Sequence, residues 1–586
     1  MNLTNMGKAL ALLRNMLNTT KRTLSPLPFE AQKPLFIPCE NKYFERVTPE
    51  ECGIDSKTVS DYVKELYDDP NVSLRDIMLL RNGKVFFECS IGDCDINVWQ
   101  STFSECKSVV SLAIGKLVTD NKISLTDRVI DFFPDKTPPV AKIKLKRLQI
   151  KHLLTMTSTV SFNELESSVT QDWVKGFLSS STDGEIGKTF AYNSLNTYML
   201  SAIVKQVTGM GLSQYLDSTI FKALGIKNYY WEKCPMGIEK GGWGLFILPE
   251  DIAKLGVLVQ NGGTWNGKRI IKKSYIKDAV SQHAEAPEDF GNYNYGYQIW
   301  KGRDADSFLF NGMLGQNLLC WKDNGIMIVA NCGNGYGFHQ SSFFPISEKY
   351  FQKSFLDTLP ENKKAFKELQ STKEMLSSVD RKQEKLFLSS SIYRESVDTD
   401  IKTLDGIKLT AESPNALSTG LFPLFLQAVT NNFTRGLVSV SFEVKENRLF
   451  VSFEEEDGTY EIPVGFSKPE RHTLSYKGDF WTVSSSGVFS ENEDGVQVFK
   501  LTVNFVETPY KRICKFFFTD RKVVGDFTES PGYQFATVAT ETMFEQFSKN
   551  QFISNVYSKL DSDFLSVKLE KAFSKKLLFG ISRKEK

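Results

Sequence analysis

Ser104 and Lys107 stand three residues apart in Ser-Glu-Cys-Lys, at the mouth of an apolar run that continues to Val118. On a helix, residues three apart share a face with about 5–6 Å between their Cβ atoms, so Lys107 would lie beside the Ser104 hydroxyl. A serine hydroxyl needs a neighbour that takes its proton before it attacks a carbonyl, and a lysine can do so when burial draws its pKa toward neutrality. At a helix N-terminus the unpaired N–H groups and the positive dipole end would also favour the oxyanion formed after attack. The four letters alone fit a helix cap followed by a solvated lysine better, and Ser274 to Lys277 repeats the spacing in a polar stretch. Segments further along the chain decide between the two.

Positioning such a pair requires a rigid frame. Val109, Val110, Leu112, Ala113, Ile114, Leu117 and Val118 make the helix apolar on most sides, as a helix buried in a core is. Upstream, Thr48 onward predicts a capped helix with Val59, Tyr62, Val63 and Leu66 on one face. Asn82-Gly83 between alternating residues marks a β-hairpin. Downstream, residues 145–159 predict another apolar helix, whose His152 is a packed structural residue. Tyr192-Asn193-Ser194 falls in a polar turn before an amphipathic helix carrying Tyr198, Leu200, Ile203, Val204 and Val207. A phenol titrates near pH 10, but an ammonium beside it favours the phenolate, so Tyr192 near Lys107 would be a usable base or shuttle. Taken alone, Tyr192 equally fits a ring stacked on the core edge. Gly241-Gly242-x-Gly244 lacks the Lys-Ser/Thr ending of a phosphate loop. Strands then continue to about residue 332, with Gly312 and Gly315 marking close backbone approach, before an amphipathic helix ending near Leu359.

Composition bounds the rest. The 586 residues imply two to four domains; 24% charged and 41% hydrophobic residues are those of a soluble globular protein; and a net charge of +1 offers no global field for nucleic acid. Nine cysteines, scattered singly, fit reduced thiols in the cytoplasm. The four histidines form no ligand pair, so neither a zinc site nor any other cofactor is expected, nor a histidine base. No apolar stretch is long enough to span a membrane, and the first residues predict a short amphipathic helix and linker.

The phrases SECKSVVSLAIGKLV, IKHLLTMTS, FAYNSLNTYMLSAIVKQVTG, IFKALGI, GGWGLFILPEDIAKLG and YGYQIW occur in this order, and FNGMLGQ lies on a late strand. Together they resemble the serine β-lactamase and penicillin-binding-protein superfamily, and within it the branch of class C β-lactamases, D-aminopeptidases, esterases and 6-aminohexanoate-dimer hydrolases. The resemblance covers residues 45 to 358. It implies an α+β fold, with a five-stranded antiparallel sheet flanked by helices and a helical subdomain across the cleft. It also implies Ser104 as acylated nucleophile, Lys107 and Tyr192 as the groups that deprotonate it, and an oxyanion hole from the backbone N–H of Ser104 and Met313. Two positions depart from the family pattern. The turn reads Tyr-Asn-Ser, with Ser194 where many relatives have asparagine, and the late-strand Lys/His-Thr-Gly is Phe310-Asn311-Gly312. Losing that cation disfavours a substrate carboxylate, so a small neutral ester or amide suits Phe310 and Asn311 better than a penicillin or a D-Ala-D-Ala end. Tyr230, Trp231, Trp243, Tyr295 and Tyr297 are cleft or core aromatics.

Beyond a charged, exposed helical connection, 359–386, the residues alternate with period two through LVSVSFEVKENRLFVSFEEEDGTYEIPVGF and later segments, which predicts an antiparallel β-barrel or sandwich over 387–586 with a helical tail. Residues 1–44 precede the hydrolase-like domain. The reading is therefore a cytoplasmic serine hydrolase acting on a small ester or amide. A β-lactamase or D-specific peptidase, and a non-catalytic scaffold on the same fold, stand as alternatives, and the oligomeric state is left open.

Overall fold

The computed structural model describes residues 7–8, 11–12, 27–39, 42–291, 293–303, 306–335, 341–378, 392–393, 397–413, 417–492, 494–519, 522–533, 536–537 and 562–583. They divide into two compact units. The first contains Ile37–Ser90 and Asp95–Met375, the second Leu10–Phe36, Ile91–Cys94 and Leu376–Lys586. The expected short N-terminal helix falls largely outside the described residues, as do one of the four histidines, His339, and most of the helical tail.

In the first unit, helix α1 (Ser56–Asp68) starts where the Asp55 side chain accepts from Lys57 N, and its stripe of Val59, Tyr62, Val63 and Leu66 is buried. Strands β1 (Glu45–Arg46), β2 (Leu74–Arg81), β3 (Lys84–Ser90), β4 (Asn294–Tyr295), β5 (Trp300–Lys301), β6 (Ser307–Gly312), β7 (Gln316–Trp321) and β8 (Ile326–Cys332) form one sheet. Their order is β1-β3-β2-β8-β7-β6-β5-β4. Asn82 and Gly83, with φ of 49° and 76°, close the β2–β3 hairpin in the left-handed region that a two-residue turn requires.

The antiparallel five, β3 to β6, are the expected core. The sheet is wider than expected: β5 and β4 extend one edge, and β1 pairs with β3 in parallel at the other. Charge pins β1 there. Glu250 accepts from Phe44 N and from Arg46, whose guanidinium also meets Glu88 at 2.8 Å. Such long-range contacts leave no periodic trace in sequence.

One face of the sheet presents Met78, Leu80, Leu318, Cys320, Met327 and Val329 to a continuous core. That core includes α2 (Cys106–Thr119), α3 (Ser194–Thr208) and α4 (Pro249–Gln260). On α1, the Tyr62 hydroxyl bonds Ser347 on the helix Phe343–Phe351 and Ser60 bonds Thr372 on the helix Lys363–Ser377. This corrects two expectations. The helix before Leu359 ends at Phe351, and the charged connection is one-sided, with Ala365, Leu369 and Thr372 buried. The expected apolar helix over 145–159 is also only Ile150–Leu154, preceded by a separate short helix, Pro139–Lys144.

The second unit is a nearly closed antiparallel barrel. Strands β9 (Ile392–Tyr393), β10 (Ile407–Ala411), β11 (Leu437–Lys445), β12 (Arg448–Glu455), β13 (Gly458–Val464), β14 (Glu470–Tyr476), β15 (Asp479–Glu491), β16 (Gln497–Phe505), β17 (Lys511–Phe518), β18 (Val523–Ser530) and β19 (Lys575–Arg583) run in the order β9-β15-β16-β17-β18-β19-β10-β11-β12-β13, with β14 on β15. Alternate residues of β16, Phe499, Leu501, Val503 and Phe505, are fully buried, as period two dictates. Segment 417–434 packs against this interior. Buried Glu455 accepts from Leu421 N, and buried Glu529 from Leu424 N, while Phe422 stacks on Tyr476 with 4.6 Å between centroids.

Candidate active site

Ser104 lies in a single 3-10 turn, Phe103–Glu105, that feeds directly into α2. The chain enters through a short strand, Gln100–Ser101, paired with Leu245–Ile247, and Thr102 is fixed by two bonds to Leu245 O, from its N–H at 2.9 Å and its hydroxyl at 2.8 Å. Phe103 then takes a φ of 45°. That conformation is costly for a bulky residue, and the surrounding bonds over-determine it.

Lys107 is 1% exposed, and its Nζ donates to Ser104 Oγ at 2.7 Å and to Gly242 O at 2.6 Å. Two of its donors are thereby aimed, one at the hydroxyl. Nζ also lies 5.0 Å from the centroid of the Tyr192 ring. The structure thus brings Ser104, Lys107 and Tyr192 together from distant parts of the chain. Lys107 meets the face of the phenol ring, where the quadrupole attracts a cation. Tyr192 is itself held by aromatic neighbours, stacked on Trp300 at 5.9 Å and edge-on to Tyr295 at 6.1 Å.

Asn193 and Ser194 divide their work differently from the sequence expectation. Asn193 is buried and structural. Its Nδ2 donates to Val160 O and Phe162 O, while its Oδ1 accepts from Leu195 N as the N-cap of α3. Ser194 begins the helix, its N–H donating to Glu164 at 3.0 Å. Gly242 packs on it so closely that a Cβ there would come within 2.5 Å of Ser194 O. That contact links the Tyr192 turn to the carbonyl holding Lys107.

The late strand reaches the same place. A Cβ on Gly312 would fall inside the van der Waals envelope of Thr102 O and 3.1 Å from Glu105 N, so β6 ends against the Ser104 turn. Met313 opens the β6–β7 turn, whose Leu314 and Gly315 have φ of 65° and 88°. Buried Gln316 ties that turn down, donating from Nε2 to Met313 O and Cys332 O. Asn311 donates to Asn317 at 2.6 Å, whereas Phe310 is fully buried in the core and lines no cleft, because alternation along β6 turns it to the packed face. Trp231, Tyr295 and Tyr297 are likewise buried, while Tyr230 and Trp243 are partly exposed. His152 accepts from Gln149 N at its Nδ1, and burial pushes its pKa down to about 4, so the ring stays neutral and structural.

Sequence reasoning missed two groups behind the nucleophile. Glu105 is buried, with Oε1 lacking a hydrogen-bond partner, and Asp76 on β2 is fully buried with Oδ2 in the same condition. Burial, and secondarily Asp76, raise the Glu105 carboxyl well above the usual range. Burial raises Asp76 to about 7 against the opposing pull of Arg75 and Asn331. A carboxyl whose native pKa exceeds its unfolded value stabilises at low pH and loses that contribution as pH rises, here between about pH 4 and 7. Asp76→Asn should therefore match wild type in urea unfolding near the low end of that window. Above it the variant should be more stable by on the order of 2–4 kcal/mol. An equal difference at both pH values would contradict the assignment.

Residues 69–338 match the profile of the Beta-lactamase family. The chain is 24% identical over 194 residues to an uncharacterised protein of Alkalihalophilus pseudofirmus, covering 30% of this chain and 52% of that one. It is 23% identical over 259 residues to the 6-aminohexanoate-dimer hydrolase of Paenarthrobacter ureafaciens, covering 38% and 62%. The chain thus spans about half the length of the curated relatives it matches. Among solved structures, a penicillin-binding protein from Bacillus halodurans aligns with a TM-score of 0.40 at 17% identity, over 50% of this chain and 99% of that one.

Proposed function

We propose that this protein, whose residues 69–338 match the Beta-lactamase family, is a serine hydrolase that cleaves small neutral esters or amides through an acyl-Ser104 intermediate. The observation that carries the reading is the 2.7 Å bond between Ser104 Oγ and the Nζ of a lysine that is 1% exposed. In the first half-reaction Oγ attacks the carbonyl carbon. Its proton passes to the Lys107–Tyr192 pair, the carbonyl oxygen becomes an oxyanion facing the Ser104 and Met313 N–H groups, and the leaving group departs with that proton. Water then repeats the sequence, breaking the acyl–Oγ bond and releasing the acid. A neutral substrate is favoured because Phe310 turns into the core and Asn311 is paired with Asn317, so neither residue of the late strand supplies the cation a carboxylate would need.

The test is covalent. A fluorophosphonate probe should label Ser104, located by peptide mass analysis, and fail to label Ser104→Ala. p-Nitrophenyl acetate or butyrate should turn over faster than nitrocefin. Nitrocefin as the better substrate would move the assignment to a β-lactamase. A folded protein that neither labels nor turns over any of these esters would make the fold a scaffold.

A further inference from the structure

Away from the candidate site, charge and apolar surface coincide in one stretch. The short helix Pro139–Lys144 buries Ala141, and Leu145 just after it, but leaves Val140 61% and Ile143 71% exposed. The two exposed side chains lie three residues apart and so share a face. Around them Lys142, Lys144, Lys146 and Arg147 are all exposed, and none of the four is ion-paired among the described residues. Nearby acids are engaged elsewhere, Asp131 with Arg128 and Asp172 with Lys136, leaving Asp135 as the neighbouring carboxylate in sequence. In a chain whose net charge is +1, this is a concentrated cationic patch with two aliphatic tips.

We propose that this turn docks the protein on an anionic membrane surface, with Val140 and Ile143 entering the headgroup boundary and the four cations meeting lipid phosphates and carboxylates. The chemistry argues for a bilayer rather than an acidic polypeptide. Aliphatic side chains exposed to this degree project outward instead of lining a groove that a peptide would fill. Apolar tips ringed by long cationic stems are what an interface that is oily below and anionic above accommodates. Pro138 and Pro139 lead the turn, with Pro138 at φ −63°, so the chain there is already restricted and little freedom is lost on docking.

The full chain should float with phosphatidylcholine vesicles that contain phosphatidylserine and not with phosphatidylcholine alone, and the binding should weaken steeply with added salt. Combining Lys142→Glu with Lys144→Glu should lower the partition coefficient at least about tenfold. Val140→Ser with Ile143→Ser should lower it about fivefold or more. Because all four side chains are exposed, thermal melting should be unchanged in both variants, which keeps a loss of binding distinct from a loss of fold. Absence of binding to the anionic vesicles, or binding that neither pair of substitutions alters, would overturn the proposal. So would capture by polyglutamate that exceeds vesicle binding and ignores the Val140 and Ile143 changes, since that result would assign the patch to an acidic polypeptide.

Discussion

Replacing Lys107 by alanine should slow acylation of Ser104 by about 10²–10⁴-fold, the range a positioned general base supplies. Stopped-flow release of p-nitrophenol and the rate of fluorophosphonate labelling should both record the loss. The reason lies in what Nζ touches. It makes the 2.7 Å bond to Ser104 Oγ, and its second bond, to Gly242 O, prevents the amine from swinging away. The Tyr192 ring closes the remaining side. Alanine leaves the hydroxyl without an acceptor for its proton and leaves Gly242 O, already buried, without its donor. The orphaned carbonyl and the cavity both cost stability. Lys107→Met fills most of the cavity but gives Gly242 O no donor, so it should recover part of the lost melting temperature without recovering the rate. Wild-type acylation in either folded variant would remove Lys107 from the chemistry and leave Tyr192 to be tested as the base.

How much of this arrangement was legible in the chain depended on the distance over which each contact acts. The Ser104–Lys107 bond is local, a consequence of helical spacing, and the buried stripe of α2 is written in Val109 to Leu117. The Asn82-Gly83 hairpin was readable for the same reason, as was the period-two alternation of the second unit, though alternation alone could not separate a barrel from a sandwich. Contacts between distant segments were not readable. Gly242 appeared in sequence only as part of a glycine-rich turn; that its carbonyl holds Lys107 depends on its packing against Ser194, for which glycine is required because any Cβ would collide. Phe310 could be placed on a strand but not on a face of it, and the face decided whether it met substrate or core. Asn193 shows a different limit. The same side chain is equally suited to a cap and to a ligand contact, and the carbonyls of Val160 and Phe162, remote in sequence, took it for the cap. Glu105 and Asp76 left no signal because a lone acid in an apolar neighbourhood looks like any surface acid until burial is known.

The second large effect is expected at Gly312, where nothing titrates. Gly312→Ala should reduce kcat for p-nitrophenyl acetate by about 10²–10³-fold, comparable to deleting one oxyanion donor, with a smaller change in KM. Its φ is not in the left-handed region, so alanine is conformationally permissible there, and the objection to a side chain is steric. The added methyl would be driven into Thr102 O, a backbone atom bonded on the other side to Glu105 N, and it would also press on the Gln316 side chain at 3.1 Å. Neither neighbour yields easily. Thr102 is held by two bonds to Leu245 O, and Gln316 is held by Cys332 O at 2.9 Å. Relief must therefore come from the end of β6 moving away from the 3-10 turn, carrying the Met313 N–H out of the 2.7–3.1 Å range, roughly, in which a donor stabilises an oxyanion. Ser104 and Lys107 are untouched by the change. Slow labelling by the fluorophosphonate probe, whose phosphonyl oxygen would occupy the proposed oxyanion site, should accompany the loss of turnover in a protein that still melts cooperatively. A folded Gly312→Ala variant turning over within a few-fold of wild type would mean that the Met313 amide does not face the reacting carbonyl, and the oxyanion would then have to be held by donors from elsewhere in the cleft.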